Sequence, residues 1–270
     1  MSSQPPTPAS PARVRREPPR FRPVAVRRIE RVTPRLVRVT FAGPELEGLT
    51  IEHPAASVRL LLPSPSRHEV EVPTWSGNEF LLADGSRPVI RTFTPRRVDP
   101  TALELDLEIV VHGGGVASAW ADAVRPGDPA AISGPGRGYA VDHDAPAFLL
   151  TGDETAIPAI SQLLEHLPDD VPVEVRIEIA GPDARFGLTD RARTNVEWCE
   201  LPRGASPGDA MVDAVRRADL VPDVRVWVAG EAAAVQRVRR HLFDERGLTR
   251  AHATVRGYWK HGRAGGPDED

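Results

Sequence analysis

Ala147-Phe-Leu-Leu-Thr-Gly-Asp-Glu-Thr-Ala-Ile-Pro158 is an apolar run that passes through a polar turn into a helical pattern. The run is short and is followed directly by glycine and acidic residues, which is typical of a buried strand that ends at a turn. An early proline fits the first turn of a helix. The helix continues with one apolar side, formed by Ile160, Leu163, Leu164 and Leu167. The stretch therefore predicts a strand–turn–helix unit of an open α/β sheet.

The same alternation of strands and helices continues towards the C-terminus. Strand–helix alternation at this spacing builds a parallel sheet with crossover helices. Residues 146–263 are therefore predicted to form a parallel α/β nucleotide-binding domain. Its further predicted elements are the strands Val171–Ile179, Val224–Ala229 and His252–Tyr258 and the helices Met211–Ala218 and Glu231–Arg246.

Residues 21–141 have a different pattern, which is dominated by short strands. Between Leu103 and Val111, apolar residues alternate with acids, which is typical of a half-buried antiparallel strand. One helix is predicted at Ala117–Val124. Many short strands separated by turn residues predict an antiparallel six-stranded β-barrel, so an α+β barrel domain precedes the α/β domain. The other predicted strands are Arg35–Phe41, Val58–Leu62, Val89–Phe93 and Ala130–Ser133.

Length and composition limit the class of protein. The 270 residues carry 38 acidic side chains against 34 Lys and Arg, a balance that argues against nucleic acid as the main partner. The single cysteine, Cys199, excludes a disulfide framework and is interpreted as a buried small residue. Lys260 is the only lysine, so residues 1–259 cannot supply lysine chemistry. No apolar run approaches the ~20 residues that cross a bilayer, and membrane insertion is not expected.

The two ends of the chain are predicted to be disordered tails. Residues 1–20 are rich in proline and arginine and lack the apolar segment of a secretory signal. Residues 264–270 are a short polar terminus. The missing signal and the missing disulfides predict a cytoplasmic protein, which we expect to be a monomer.

Arg91-Thr-Phe-Thr-Pro-Arg96 is the first segment with functional chemistry. On a strand, Arg91 and Phe93 share one face, while Thr92 and Thr94 share the other. An arginine can bind a phosphate through two hydrogen bonds, an aromatic ring can cover a ring system, and a hydroxyl can bond a ring heteroatom. An ordinary amphipathic strand with surface arginines explains the pattern equally well.

His112-Gly-Gly-Gly-Val-Ala-Ser-Ala-Trp120 joins a strand to a helix through a glycine turn. Backbone amides at a helix start bind phosphate, and glycines allow the phosphate to come close. The alternative is a turn that merely needs glycine and a serine cap.

Leu150–Pro158 occupies the position at which α/β sheets bind dinucleotides, but it lacks their glycine fingerprint. Asp153 and Glu154 would repel phosphate unless they face away. A capped helix start, with Thr155 and Pro158 in the first turn, is the alternative.

Five segments occur in the order found in one known family: Arg91–Thr94, His112–Trp120, Gly152–Pro158, Trp227–Glu231 and Gly257–Gly262. Together they resemble the siderophore-interacting protein family, which are FAD-dependent ferric-siderophore reductases within the ferredoxin-reductase-like flavoproteins. The resemblance covers about residues 20–263. Any one segment alone is unspecific, whereas five ordered segments across two domains of the expected type are specific.

The resemblance implies an FAD barrel followed by an NAD(P)H domain. Arg91 would contact the FAD pyrophosphate, Phe93 would lie against the flavin or ribityl chain, and Thr94 would approach flavin N5. The residues implied for FAD are Arg91, Thr92, Phe93, Thr94, His112, Gly113, Gly115, Val116, Ala117 and Ser118, with Tyr258 or Trp259 near the isoalloxazine ring. Those implied for the nicotinamide nucleotide are Gly152, Asp153, Glu154, Thr155, Ala229, Gly230 and Glu231.

Two residues depart from the usual family pattern. Tyr usually stands where this chain has Phe93, so a hydroxyl contact is lost while the ring remains. Pro usually stands where this chain has Val116, so a backbone amide is gained and loop rigidity is lost. Neither departure removes a phosphate ligand.

The activity that the resemblance implies is reduction of FAD by NAD(P)H, followed by reduction of Fe(III) in a ferric siderophore. Hydride would pass directly to flavin N5, so no catalytic acid or base is predicted, and iron is a substrate rather than a resident metal. Two alternatives stay open: a related flavin reductase that serves a protein or free flavin, and a non-catalytic siderophore-binding protein. Arg59, Arg67 and Arg137 are candidates for attracting the anionic ferric complex.

The choice between NADPH and NADH depends on the loop after the second strand of the α/β domain. This loop offers Asp183, which could accept from a ribose hydroxyl, and Arg185, which could bind a 2′-phosphate. The fork of an arginine suits a terminal phosphate, so Arg185 favours NADPH. A solvated turn with an incidental ion pair between the two is the alternative.

Overall fold

The computed structural model describes residues 18–63, 69–77, 79–112 and 114–262. The predicted disordered tails, residues 1–20 and 264–270, lie outside these ranges except for residues 18–20. The described residues form an N-terminal antiparallel sheet and a C-terminal parallel sheet. The predicted class, an antiparallel barrel-like domain followed by a parallel α/β domain, is confirmed.

The N-terminal domain is built on a seven-stranded sheet with one helix. Its elements are β1 (Phe21–Thr33), β2 (Leu36–Ala42), β3 (Val58–Leu61), β4 (Thr74–Trp75), β5 (Phe80–Leu81), β6 (Ile90–Phe93), β7 (Pro95–Asp99), β8 (Glu104–Val110), α1 (Val116–Ala123) and β9 (Pro129–Ser133). The strand order is β6-β3-β9-β1-β2-β8-β7, and each adjacent pair is antiparallel. β4 and β5 pair with each other in a separate ribbon.

The sheet has seven strands where six were predicted, and β7 follows the predicted strand Val89–Phe93 as a separate strand after Thr94. Pro95 has no N–H group to continue a ladder from the first strand into the second. β6 and β7 lie at opposite edges of the sheet. The chain itself therefore joins the two edges at Thr94, and the sheet forms a half-barrel rather than a fully hydrogen-bonded barrel.

The C-terminal domain is a five-stranded parallel sheet with helices on both faces. Its elements are β10 (Phe148–Asp153), α2 (Ile157–His166), β11 (Val173–Ile179), β12 (Thr194–Glu200), α3 (Asp209–Arg216), β13 (Arg225–Glu231), α4 (Ala232–Arg240) and β14 (Ala253–Trp259). A π-helical turn, His241–Glu245, follows α4, so the predicted helix Glu231–Arg246 is divided. The strand order is β12-β11-β10-β13-β14, which places the switch point at the carboxyl end of β10.

Apolar packing joins the two domains at α2. Ala55 from the N-terminal domain is buried in the core around α2, and Tyr139 and Val141 pack against it. The opposite face of the parallel sheet packs on α3 and α4 through residues such as Met211 and Val235. In the described part of the chain, no helix combines the length and apolar character needed to span a membrane.

Candidate functional site

Thr94 lies at the break between β6 and β7 and is buried. Its side chain lies beside the hydroxyl of Tyr258, on the last strand of the other domain. Burial raises the pKa of Tyr258 above its ordinary value, and the proximity of Thr94 acts in the opposite direction. The residue that the resemblance assigns to flavin N5 therefore also contacts the C-terminal domain.

The neighbouring residues of β6 lie along the edge of the sheet. Arg91 is half-buried, and its guanidinium donates to the carbonyl of Ile90 at 2.7 Å. Phe93 packs against the apolar core of the N-terminal domain, and Thr92 is exposed. Arg59 on β3 lies opposite Thr92 in the sheet. This candidate for attracting the ferric complex is thus placed beside the predicted flavin strand.

The predicted glycine turn leads directly into α1. The Ser118 hydroxyl accepts from the N–H of His112 at 3.0 Å and donates to the carbonyl of His112 at 2.9 Å. Its only hydrogen is used inside the turn, so Ser118 can offer a phosphate its backbone amide rather than its hydroxyl. No side chain caps α1 at Gly115. The first-turn amides of a helix have no partner within the helix, so they can bind a ligand.

The turn also has room for a phosphate group. A Cβ atom at Gly114 would meet no described atom within 4 Å, and one at Gly115 would meet only the His112 ring, at 3.7 Å. Gly115 has φ 87°, a conformation that favours glycine. β6 and α1 both contact β8, so the turn and the Arg91 strand flank one strand. These residues fit the pyrophosphate of FAD; predicted Gly113 lies outside the described residues.

Asp153, at the carboxyl end of β10, is buried and faces the protein itself. Its carboxylate accepts hydrogen bonds from the Thr155 N–H at 2.9 Å, the Thr155 hydroxyl at 2.5 Å, the Glu231 N–H at 2.8 Å and the Trp259 indole at 2.7 Å. Burial raises the pKa of Asp153, and these donors act in the opposite direction. The carboxylate oxygens therefore tie β10 to β13 and β14, and the contact with the nicotinamide nucleotide that the resemblance implies stays a prediction.

Glu154 and Glu231 are engaged in the same way. Glu154 accepts from Arg35 Nε at 2.8 Å and from the Ala180 N–H at 2.7 Å, which links the C-terminal domain to the β1–β2 hairpin. Glu231 accepts from the Ala234 N–H at 2.8 Å and caps α4. Both acids are thus hydrogen-bonded within the protein, and their implied place beside the nicotinamide nucleotide stays a prediction.

Gly152 and Gly230 allow the chain to pack on itself at the switch point. A Cβ atom at Gly152 would lie 2.4 Å from that of Ala156 and 2.5 Å from the carbonyl oxygen of Ala229. One at Gly230 would lie 2.7 Å from the Asp153 carboxylate. These glycines let β10, β13 and the turn before α2 pack closely, and their implied place beside the nicotinamide nucleotide stays a prediction.

Glu178 on β11 completes this group of carboxylates and was not identified from the sequence. It is buried and accepts from the N–H groups of Gly208 at 2.6 Å and Met211 at 3.0 Å, at the start of α3. Burial raises the pKa of Glu178, and the nearby charge of Asp153 raises it further. With Asp153 before α2 and Glu231 before α4, a carboxylate occupies each helix start at this sheet edge. The only signal in the sequence is an acid at the carboxyl end of an apolar strand.

Tyr258 and Trp259 have different partners although they are adjacent on β14. The Tyr258 ring packs edge-on against Trp227, with centroids 6.3 Å apart, and its hydroxyl meets Thr94. The Trp259 indole instead donates to Asp153. Of the two predicted alternatives, Tyr258 is the one that contacts the predicted flavin strand.

Arg185 follows a short turn, Pro182–Ala184, and is exposed. Its guanidinium pairs with Glu200 at 3.0 Å, rather than with Asp183 as the alternative supposed. An exposed ion pair contributes about 0–1 kcal/mol, so this pairing leaves Arg185 able to turn to a phosphate.

The remaining candidates are outside this arrangement. Cys199 is buried, and burial raises its pKa to about 11, so the thiol is protonated and packs as the small residue predicted. Among the described residues, no group of three His, Cys, Asp or Glu side chains could hold a metal ion. Arg137 is exposed, and its carbonyl accepts from Arg256 at 3.1 Å. Arg67 lies outside the described residues.

Similar proteins match both domains together. A siderophore utilization protein from T. fusca has a TM-score of 0.81 and 33% identity, over 92% of this chain and 95% of that chain. A NADPH-dependent ferric-chelate reductase from Escherichia coli is 30% identical over 244 residues, 88% of this chain and 92% of the relative. An uncharacterized protein from Mycobacterium tuberculosis is 40% identical over 194 residues, 67% of this chain and 69% of the relative.

Family comparisons divide the chain as the two sheets do. Residues 25–139 match the siderophore-interacting FAD-binding domain, and residues 145–262 match the siderophore-interacting protein family. The ordered segments, the half-barrel and parallel sheet, and the relatives over most of the chain agree. The chain belongs to the siderophore-interacting protein family, with the FAD-binding type of N-terminal domain.

Proposed function

We propose that this protein binds FAD and uses NADPH to reduce Fe(III) in a siderophore. Siderophores hold Fe(II) far less tightly than the hard Fe(III) ion, so reduction releases the iron. The observation that carries the proposal is the uncapped, open glycine turn at the start of α1, beside the strand that bears Arg91. The name of the Escherichia coli relative, a NADPH-dependent ferric-chelate reductase, supports the same activity.

The N-terminal domain supplies the residues that would hold FAD. Arg91 and the first-turn amides of α1, from Gly115 to Ser118, would bind the pyrophosphate. Val116 adds an amide donor at a position where the family usually has proline. Phe93 would lie against the flavin or its ribityl chain, and Thr94 would lie near N5.

The protein contributes binding, orientation and shielding from water to this reaction. When bound, FAD supplies an acceptor for the hydride of NADPH and a donor of single electrons to Fe(III). Direct hydride transfer requires no protein acid or base. Asp153 and Glu178, the buried acids with raised pKa values, are saturated with internal donors, so they hold the fold together rather than move protons.

Replacing Arg91 tests the phosphate site. Arg91→Ala should weaken FAD binding by about 1.5–3 kcal/mol, the contribution of a hydrogen bond to a charged group. Titration of the apoprotein with FAD measures this loss. Arg97→Ala is the matched control, because Arg97 is an exposed arginine on β7 that pairs with Asp99. Equal FAD affinity in Arg91→Ala and the parent would remove Arg91 from the phosphate site.

Arg185 is proposed to select NADPH over NADH. Arg185→Ala should lower kcat/KM for NADPH by about tenfold, the loss of roughly 1.4 kcal/mol, and leave NADH unchanged. Asp183→Ala is the control in the same loop and should not reduce the use of NADPH. A variant that treats both cofactors as the parent does would place the 2′-phosphate elsewhere.

The activity itself is tested by anaerobic reduction with NADPH and NADH in parallel, followed by a panel of ferric siderophores. Bleaching of the flavin spectrum and turnover with at least one ferric siderophore are expected. Turnover only with free flavin or a protein acceptor would favour a different flavin reductase. A parent protein that does not bind FAD would favour a non-catalytic siderophore-binding role. The cytoplasmic location and the monomeric state stay predictions.

A further inference from the structure

Three consecutive residues at the end of the predicted flavin strand contact the C-terminal domain. The Thr94 hydroxyl meets Tyr258 on β14. The carbonyl of Pro95 accepts from Gln162 Nε2 at 2.6 Å. The Arg96 guanidinium makes two bonds to the Glu165 carboxylate, at 2.5 and 3.1 Å. The C-terminal domain therefore contacts every residue of the segment 94–96.

Gln162 is the central residue of this contact. It is buried on α2, and besides donating to Pro95 it accepts from the N–H of Ala55 at 2.9 Å. Both partners are backbone groups of the N-terminal domain, so the amide of Gln162 bridges two segments of the half-barrel. The carbonyl of Ala55 accepts from Arg256 on β14 at 3.2 Å, which fixes this residue from both sides.

The half-barrel needs support at this position. β6 and β7 lie at opposite edges of the sheet, and only the chain at Thr94 connects them there. Pro95 cannot donate to a neighbouring strand, and the pairing of β7 with β8 shifts register between Pro95 and Arg97. The sheet's own ladder therefore does not fix Thr94, whereas Gln162 and Tyr258 do.

We propose that Gln162 and Tyr258 are positioning residues that set the distance and orientation of Thr94 toward bound FAD. The inference rests on the proposed function, because it needs FAD beside Thr94. The Arg96–Glu165 pair has a smaller share, since both side chains are partly exposed and solvent screens their attraction. The neutral bonds of Gln162 are buried, so removing one partner leaves backbone groups without a hydrogen bond.

Three substitutions separate positioning from folding. Tyr258→Phe removes one hydroxyl and keeps the ring against Trp227. Gln162→Glu keeps the acceptor for Ala55 but places a carboxylate oxygen against the Pro95 carbonyl. Ser161→Ala is the matched control, because Ser161 is equally buried on α2 and its hydroxyl donates only to Ile157 of the same helix, at 2.9 Å.

The readouts are the visible spectrum and midpoint potential of bound FAD, the FAD dissociation constant, and kcat and KM for NADPH. Tyr258→Phe and Gln162→Glu should shift the spectrum and the potential and lower kcat by about tenfold with little change in KM, because small misplacements of reacting groups reduce the rate strongly. Ser161→Ala should match the parent in every readout.

The outcomes distinguish this inference from the proposed function. A parent that binds no FAD, or whose FAD is not reduced by NADPH, overturns both. A parent that works as proposed, together with variants whose spectrum, potential and kcat equal those of the parent, overturns only the positioning role. If Gln162→Glu does not fold, the spectrum, potential and kcat of Tyr258→Phe test the positioning role, because this substitution removes no backbone hydrogen bond.

Discussion

The start of α1 and the helix starts at the edge of the parallel sheet differ in what meets their backbone amides. At α1, Gly115 provides no side-chain cap, and the glycine beside it faces open space. At the parallel sheet, Glu178 and Glu231 supply carboxylates to first-turn amides of α3 and α4, and Asp153 caps the short turn Glu154–Ala156 that leads into α2. Because amides at a helix start attract anions, the N-terminal domain keeps an anion site for a ligand, whereas the C-terminal domain fills its own.

This difference suits two cofactors with different residence times. In the proposed function, FAD would stay bound through the catalytic cycle, and the open amides of α1 suit its pyrophosphate. The nicotinamide nucleotide would arrive and leave in each cycle, and at the proposed site it would meet a sheet edge where carboxylates already occupy backbone amides. We therefore expect its affinity to depend on side chains such as Arg185 rather than on helix amides. Substitutions at the edge of the parallel sheet and at the start of α1 test this expectation.

The largest effect on stability is expected at the edge of the parallel sheet, where carboxylates bind backbone amides. Asp153→Ala leaves the Glu231 N–H and the Trp259 indole without their acceptor, so the free energy of unfolding should fall by about 2–4 kcal/mol. Urea denaturation of the apoprotein measures the change. Asp183→Ala, at an exposed position in a nearby loop, is the control and should leave stability unchanged. Equal stability of Asp153→Ala and the parent would mean that the carboxylate is not a structural cap.

A smaller effect on stability is expected at the start of α1, which has no side-chain cap. Gly115→Ala forces a side chain into a conformation with φ 87°, which should cost about 1–2 kcal/mol and weaken FAD binding as the turn relaxes. Gly114→Ala is the control for stability, because a Cβ atom there meets no described atom within 4 Å, and its FAD affinity tests whether the phosphate uses this space. Stability and FAD affinity are measured for both variants. If Gly114→Ala weakens FAD binding while Gly115→Ala does not, the phosphate lies against Gly114 instead.

The sequence predicts local structure well where a pattern repeats along the chain. The alternation between Leu103 and Val111 predicted β8, and the helical spacing after Ile157 predicted α2. β1 was not predicted, because many of its positions are exposed arginines and only residues such as Phe21, Val24 and Val26 are buried. A long strand with this burial has no clear period of two.

The candidate site was predictable only in its outline. Glycine turns and an arginine strand are local signals, and they marked α1 and β6 correctly. The Asp153 carboxylate is hydrogen-bonded by Glu231 and Trp259, which lie 78 and 106 residues further along the chain. Gln162 likewise bonds partners 67 and 107 residues away. A single sequence contains no signal for contacts at such separations, so the capped helix starts and the link between domains required the structure.

The smallest expected effect is on the pH dependence of stability, which differs between buried carboxylates and an exposed, ion-paired one. Burial raises the pKa of Glu178 and Asp153 above the ordinary carboxyl value. Between the ordinary and the raised pKa, the folded state therefore binds more protons than the unfolded state. Stability from these groups is present below the ordinary carboxyl pKa and declines as pH rises through the raised pKa. Exposed Asp209 beside Arg237 has a lowered pKa, and its contribution is instead lost as pH falls.

Urea unfolding at a series of pH values compares the parent with Glu178→Gln and Asp209→Asn. Glu178→Gln should flatten the decline above the ordinary carboxyl pKa, because it removes one of the groups that release a proton on unfolding. Asp209→Asn should instead flatten the loss at acid pH. The effect at Glu178 is small because its amide donors offset part of the burial penalty. An identical pH slope in the parent and Glu178→Gln would mean that the amide donors at the start of α3 fully offset the effect of burial, so that this carboxylate titrates as it does in the unfolded chain.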